Sequence, residues 1–166
     1  MIRYDEAMRQ ALDIAAESIA WGEVPVGALI LDAEGRVIAT SANEKERSGD
    51  PSAHAEICAI RRACRQQKDG WRLDGCTLIV TLEPCAMCAG AIVASRLSRL
   101  VYGAFDSKAG AVGSVWDLLR DGRAIHRPQV IAGICADEAS AQLKDFFSSR
   151  RERIEPISPC GWEFAR

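Results

Sequence analysis

His54-Ala55-Glu56 and Pro84-Cys85-Ala86-Met87-Cys88 are the residues whose types and spacing can do chemistry. One imidazole and two thiols form a zinc-binding set, while Glu56, only two residues from His54, is poorly placed to be a fourth ligand. A structural zinc is normally closed by four protein ligands, whereas a catalytic zinc keeps one position for water and lowers that water's pKa to about 7. Three ligands therefore predict an open, catalytic site, with Glu56 moving protons beside the activated water. Cys85 and Cys88 fall on one face of a helix. Pro84 suits the start of that helix because it has no N–H to leave unpaired. The positive end of the helix favours the thiolates that a metal requires.

Two neighbours bear on this reading. Cys58 lies one helical turn after His54 and is the alternative fourth ligand, but free cysteine in a helix is expected to be a small buried apolar residue. Asp50, Pro51 and Ser52 stand just before the first motif. Asp and Ser commonly cap helices, so they are expected to start the helix that brings His54 and Glu56 to a shared cleft.

The elements that must position these groups follow from periodicity. Met8, Leu12, Ala15 and Ile19 recur at helical spacing. Val24 to Leu31 and Arg36 to Thr40 read as a β-hairpin about the turn Asp32 to Gly35. A polar loop from Ala42 to Ser52 precedes the first metal helix, which ends near Gly70. Cys76 to Leu82 is a buried strand, and the second metal helix runs from Pro84 to about Ser95. Leu100 to Gly103 and Gln129 to Ile134 are further strands. Ala136 to about Arg151 is a closing helix with Leu143, Phe146 and Phe147 on its apolar side. The stretch from Ala104 to Arg127 is long enough for a parallel crossover and is expected to carry a short helix. This order predicts an α/β fold, a five-stranded mixed sheet between helical layers, in one domain over 1–154 with an appended tail over 155–166.

A chain of 166 residues with 48% hydrophobic and 27% charged content suits a single globular unit. Its net charge of −2 argues against a general polyanion binder, so any RNA contact must be local. The candidate basic groups are Arg61, Arg62 and Arg65, then Arg96 and Arg99, then Arg150, Arg151 and Arg153; a solvated helix face explains each set equally well. Seven cysteines, two of them in a metal motif, argue against a disulfide framework, leaving Cys64, Cys76, Cys135 and Cys160 reduced. No apolar run approaches the roughly 18 residues of a membrane span and no leader-like segment is evident, so a cytoplasmic protein without a membrane span is expected.

The metal motifs resemble the signature of zinc nucleobase deaminases. Beyond them, the chain resembles bacterial tRNA-specific adenosine deaminases from Glu23 to about Arg151. The likeness is carried by Glu23-Val24-Pro25-Val26-Gly27-Ala28, Asp50-Pro51-Ser52-Ala53-His54-Ala55-Glu56, Thr81-Leu82-Glu83-Pro84-Cys85, Gly103-Ala104-Phe105-Asp106-Ser107-Lys108, and Asp145-Phe146-Phe147 with Arg150-Arg151.

The resemblance implies a three-layer α/β/α cytidine-deaminase-like fold and hydrolytic conversion of the wobble adenosine in a tRNA anticodon loop to inosine. It also implies a homodimer with one Zn2+ per subunit, held by His54, Cys85 and Cys88, with Glu56 as the catalytic proton shuttle. Asn43 corresponds to an asparagine that hydrogen-bonds the flipped base, although its position alone suggests a turn residue. Val26 and Leu82 correspond to base-pocket residues, and would equally suit buried strands. Asp106 and Lys108 correspond to loop residues near the RNA backbone, with a ribose 2′-OH as the natural partner of Asp106. Gly103, Gly110 and Gly113 suit a mobile rim, and Phe105 is placed to stack on a base or to join the core.

The chain departs from the family pattern at Phe105, at Glu44 and Glu46 after Asn43, and in a tail without a lysine-rich stretch. A small-molecule deaminase acting on guanine, cytosine or a nucleoside is the enzyme alternative. A non-catalytic zinc-stabilised RNA-binding module is the alternative of another class.

Overall fold

A computed structural model describes residues 3–66 and 70–151. In chain order the elements are α1 (Tyr4–Ser18), β1 (Gly27–Leu31), β2 (Val37–Ala42), α2 (Lys45–Ser48), α3 (Ala55–Gln66), β3 (Thr77–Leu82), α4 (Ala86–Ala94), β4 (Arg99–Ala104), β5 (Gln129–Ala132) and α5 (Ala136–Arg151). The five strands form one mixed sheet in the order β2-β1-β3-β4-β5. β1 is antiparallel to both β2 and β3, while β3, β4 and β5 run parallel.

The inner strands are apolar on both faces, as expected of strands covered by helices on both sides. Alternation divides them between two cores. Ala28, Ile30, Leu78, Val80, Leu100 and Tyr102 pack with Ala59 and Ile60 of α3 and Ala89 and Ile92 of α4. Leu29, Leu31, Ile79 and Val101 face the other way, onto Ala7, Met8 and Ala11 of α1. Ala139 of α5 packs with Leu12 and Ala104 on that second side. The result is three layers, with both metal-motif helices on the same side of the sheet. Gly27 permits the closest approach in the α1 layer, since a Cβ there would lie 2.0 Å from the Ala11 carbonyl oxygen.

Several local expectations are corrected. The hairpin strand starts at Gly27, not Val24, because Val24–Val26 makes a tight turn: the Val26 N–H returns to the Val24 carbonyl at 2.8 Å across Pro25. Ile19 lies in a single 3-10 turn, Ile19–Trp21, and is exposed. The polar loop contains α2. The end expected for the first metal helix near Gly70 borders residues 67–69, which lie outside the described residues. Pro84 stands outside α4, whose N-cap is Cys85. The crossover from β4 to β5 is parallel as expected, but it is made of turns and isolated bridges with no helix. Phe146 of α5 is buried and Phe147 exposed, the two rings meeting edge to face at 5.4 Å. The tail expected over 155–166 lies outside the described residues.

Candidate active site

The parallel strand β3 and the antiparallel hairpin deliver the site residues to one end of the sheet. His54 immediately precedes α3, so its side chain is not bound by helical spacing to that of Glu56 two residues later. Both line the same pocket with Val24, Val26, Asn43, Lys45, Leu82, Glu83, Cys85, Asp106 and Ala109. The two-residue spacing that is awkward within a helix is resolved by placing one residue outside it.

His54 Nδ1 lies 3.7 Å from Cys85 Sγ and 3.6 Å from Cys88 Sγ. Zinc bonds of about 2.3 Å to sulfur and about 2.0 Å to nitrogen, at tetrahedral angles, imply N–S separations of about 3.5 Å. The three ligand atoms, all within 4.8 Å of one another, therefore fit one zinc ion. Cys58 is not in this cluster; it is buried on α3, with Ser41 of β2 and not the pocket as its polar neighbour. The Cys88 thiol hydrogen-bonds to Cys85, which with the His54 contact brings the Cys85 pKa down to about 3 and pushes that of Cys88 up. The bond to Cys85 raises the His54 pKa. Glu56 is almost fully buried, and that burial raises its carboxyl above the ordinary range. A buried carboxyl thus stands beside the ligand triad.

Asn43 is not a turn residue. Its N–H continues the hairpin to the Val26 carbonyl, its Nδ2 donates to the Val24 carbonyl at 3.1 Å, and its Oδ1 accepts the Ala55 N–H at 3.1 Å. It therefore caps α3, the task expected of Asp50 and Ser52. Asp50 instead closes its own turn, accepting the Ser52 N–H and hydroxyl at 2.8 and 2.7 Å. Since an amide has a second N–H and a second lone pair, a pinned Asn43 at the pocket wall keeps hydrogen-bonding capacity for a ligand.

Glu83 is the site residue that sequence reasoning passed over. It is 2% exposed, yet its carboxylate accepts the N–H of Asp106 at 3.1 Å, the N–H groups of Val112 and Ser114 at 3.0 Å, and the Ser114 hydroxyl. Burial alone would raise its pKa; the bonds from Ser114, Asp106 and Val112 outweigh it and lower the carboxyl below its ordinary value. The signal available was a charged residue ending a buried strand directly before Pro84-Cys85. The rim loop is thus fastened to the metal segment. Gly110 bridges Cys85, and a Cβ on it would meet the Glu83 carboxyl carbon at 2.5 Å.

Asp106 lines the pocket and uses Oδ1 to accept the N–H groups of Lys108 and Ala109 at 2.9 and 3.2 Å. Lys108 is exposed and is not among the lining residues. Phe105 is exposed, with one ring edge against Tyr102 at 5.4 Å. Several of the basic candidates are already engaged within the fold. Arg61 pairs with Asp50, Arg62 with Glu44, Arg96 with the Ile125 carbonyl, and Arg99 with Gln129 and Thr77.

Residues 1–104 match the family model for the cytidine and deoxycytidylate deaminase zinc-binding region. The chain belongs to this deaminase family. Among its relatives, a tRNA-specific adenosine deaminase of Haemophilus influenzae is 45% identical over 89% of this chain and 85% of its own length. A tRNA-specific adenosine deaminase of Bacillus subtilis is 41% identical over 88% of this chain and 89% of its own length. A solved structure from work on A-to-I editing by tRNA:A34 deaminases at the wobble position is 43% identical with a TM-score of 0.76, covering 81% of this chain and 96% of that one. In this deaminase family the triad is a zinc site, in agreement with the spacing of the three ligand atoms.

Proposed function

We propose that this chain deaminates the wobble adenosine of a tRNA anticodon loop to inosine. The observation that carries the reading is the buried Glu56 carboxyl beside a three-ligand zinc set in one pocket, in a chain more than 40% identical to tRNA-specific adenosine deaminases. Zinc, when bound by His54, Cys85 and Cys88, supplies a water of lowered pKa as nucleophile. Glu56 carries one proton of the attacking water to the ring nitrogen, where it stays, and the second, from the new hydroxyl, to the departing amine. The balance is one water consumed, the carbon–nitrogen bond to the exocyclic amine exchanged for carbon–oxygen, and ammonia released. Val26 and Leu82 give the base apolar walls, and Asn43 reads its edge with the capacity left over from capping α3. Asp106 meets a ribose hydroxyl, and the exposed Lys108 a nearby phosphate.

An unpaired loop suits this pocket, because its bases are splayed out at less cost than bases in a duplex. No helix among the described residues is long and apolar enough to cross a membrane. The tRNA substrate implies action in the cytoplasm, by a deaminase unit over 1–154 that works as a homodimer, with 155–166 as an appended tail. Support for the dimer comes from the exposure of Met87 on α4 and of Val115, Trp116 and Leu118 on the rim loop.

The deciding experiment incubates the zinc-loaded chain with an anticodon stem-loop and, separately, with free guanine, cytosine and adenosine. Inosine in the stem-loop, with slow ammonia release from the small molecules, is expected. Rapid turnover of a free base beside an inert stem-loop would overturn the reading.

A further inference from the structure

Glu44 and Glu46 make the loop after Asn43 look hostile to RNA, but the fold sorts these charges. Glu44 is turned to the Arg62 guanidinium, which also donates to the Thr40 carbonyl at 2.6 Å, away from the pocket lining. Glu46 does not line the pocket either. Lys45 does, beside His54 and Glu56.

Two residues further on, the Arg47 guanidinium lies 4.6 Å from the centroid of the Trp21 ring, which is 44% exposed. This pairing is held from beneath. The buried Glu23 carboxylate accepts the Arg47 N–H at 3.1 Å, tying α2 to the segment Trp21–Val24. That segment also supplies the Val24 carbonyl that holds Asn43. At its other end, Arg150 of α5 donates to the Gly22 carbonyl and lies over the Phe146 ring at 4.7 Å. Neither the Lys45 ammonium nor the Arg47 guanidinium makes an ion pair with a carboxylate among the described residues. Trp21 stands three residues from pocket-lining Val24, within about 10 Å along an extended chain. Two positive side chains thus stand on α2 on either side of exposed Glu46, Lys45 lining the pocket and Arg47 held at the Trp21 ring, in a molecule of net charge −2.

We infer that Lys45 and Arg47 form a docking surface for the RNA backbone flanking the target nucleotide, with Trp21 as the positioning residue that holds Arg47. The inference rests on the tRNA reading above. A flat guanidinium stacked on an indole is pre-oriented and stays charged, so it meets a phosphate with little ordering cost. Charge complementarity and continuity with the pocket select single-stranded RNA over a protein partner.

The test measures equilibrium binding of a fluorescent anticodon stem-loop to the full zinc-loaded chain in a Glu56→Ala background, across a series of KCl concentrations. Wild-type inosine formation is scored in parallel. Lys45→Ala with Arg47→Ala is expected to keep zinc and to flatten the slope of log affinity against log salt by about 1.4, two contacts at about 0.7 each. Arg47→Lys should restore the slope lost by Arg47→Ala. Trp21→Ala should weaken binding when Arg47 is present and add nothing when Arg47 is already alanine.

An unchanged affinity and slope in the double variant, while the wild type makes inosine, overturns the docking surface alone. A wild type that makes no inosine overturns the tRNA reading and this inference with it. Additive losses from Trp21→Ala and Arg47→Ala remove Trp21 from its role as the residue that positions Arg47.

Discussion

Glu56 and Cys58 are two positions apart on α3, yet their surroundings assign them opposite expectations. Glu56 opens into the pocket beside His54, and its burial keeps a proton close to hand. Glu56→Ala should retain zinc and fold while losing turnover by about 10²–10⁴-fold or more, the range that general acid–base catalysis supplies. Zinc by metal analysis and inosine by nucleoside chromatography read the two separately. Undiminished deamination in that variant would exclude Glu56 as the proton shuttle. Cys58 lies outside the cluster of ligand atoms, with Ser41 as its polar neighbour, so it is not placed to bind the ion. Cys58→Ser should therefore leave zinc stoichiometry at one per chain and activity nearly unchanged; loss of zinc would mean that the ion is closed by four protein groups.

At the scale of elements, the carboxylate of Glu83 joins the end of β3 to the returning rim loop. Three backbone N–H groups and one hydroxyl converge on it, so Glu83→Gln turns an amide N–H2 toward donors that have no other acceptor there. Breaking such buried, charge-assisted bonds costs about 1.5–3 kcal/mol. We expect zinc content to hold while the 106–114 amides lose hydrogen-exchange protection and KM for the stem-loop rises. Gly110→Ala should reproduce the effect by steric means, because its Cβ would meet the same carboxyl group. Unaltered protection in both variants would show that the rim holds itself. This junction also marks the limit of what the sequence disclosed. The ligand triad was legible because His, Cys and Cys spacing is itself a coordination requirement, and the three-layer sheet because its strands are apolar on both faces. Glu83 was not, since its partners lie 23 to 31 residues away on a loop without periodicity. Asn43 capping Ala55 across 12 residues was hidden for the same reason. The helix expected in the crossover failed because turns and bridges to Cys85 satisfy its backbone instead.

For the whole molecule, the fastened rim has an outer side as well as an inner one. The loop is stitched to the metal segment by the Ala111 N–H to the Pro84 carbonyl at 2.8 Å, and it carries exposed Val115, Trp116 and Leu118, while Met87 at the start of α4 is exposed as well. Aromatic residues and methionine are enriched in interface cores, whereas isolated monomers rarely keep such groups together in the open. Burying this face against a second copy would need about 800 Å² per partner and would brace the same loop that carries Asp106. Sedimentation equilibrium is therefore expected to give twice the chain mass, and Trp116→Glu to give the monomer. Because the braced loop is part of the pocket, dilution through the dissociation range should lower deamination in step with the dimer fraction. A Trp116→Glu monomer as active as the wild type would separate assembly from catalysis and leave the rim dependent on Glu83 alone.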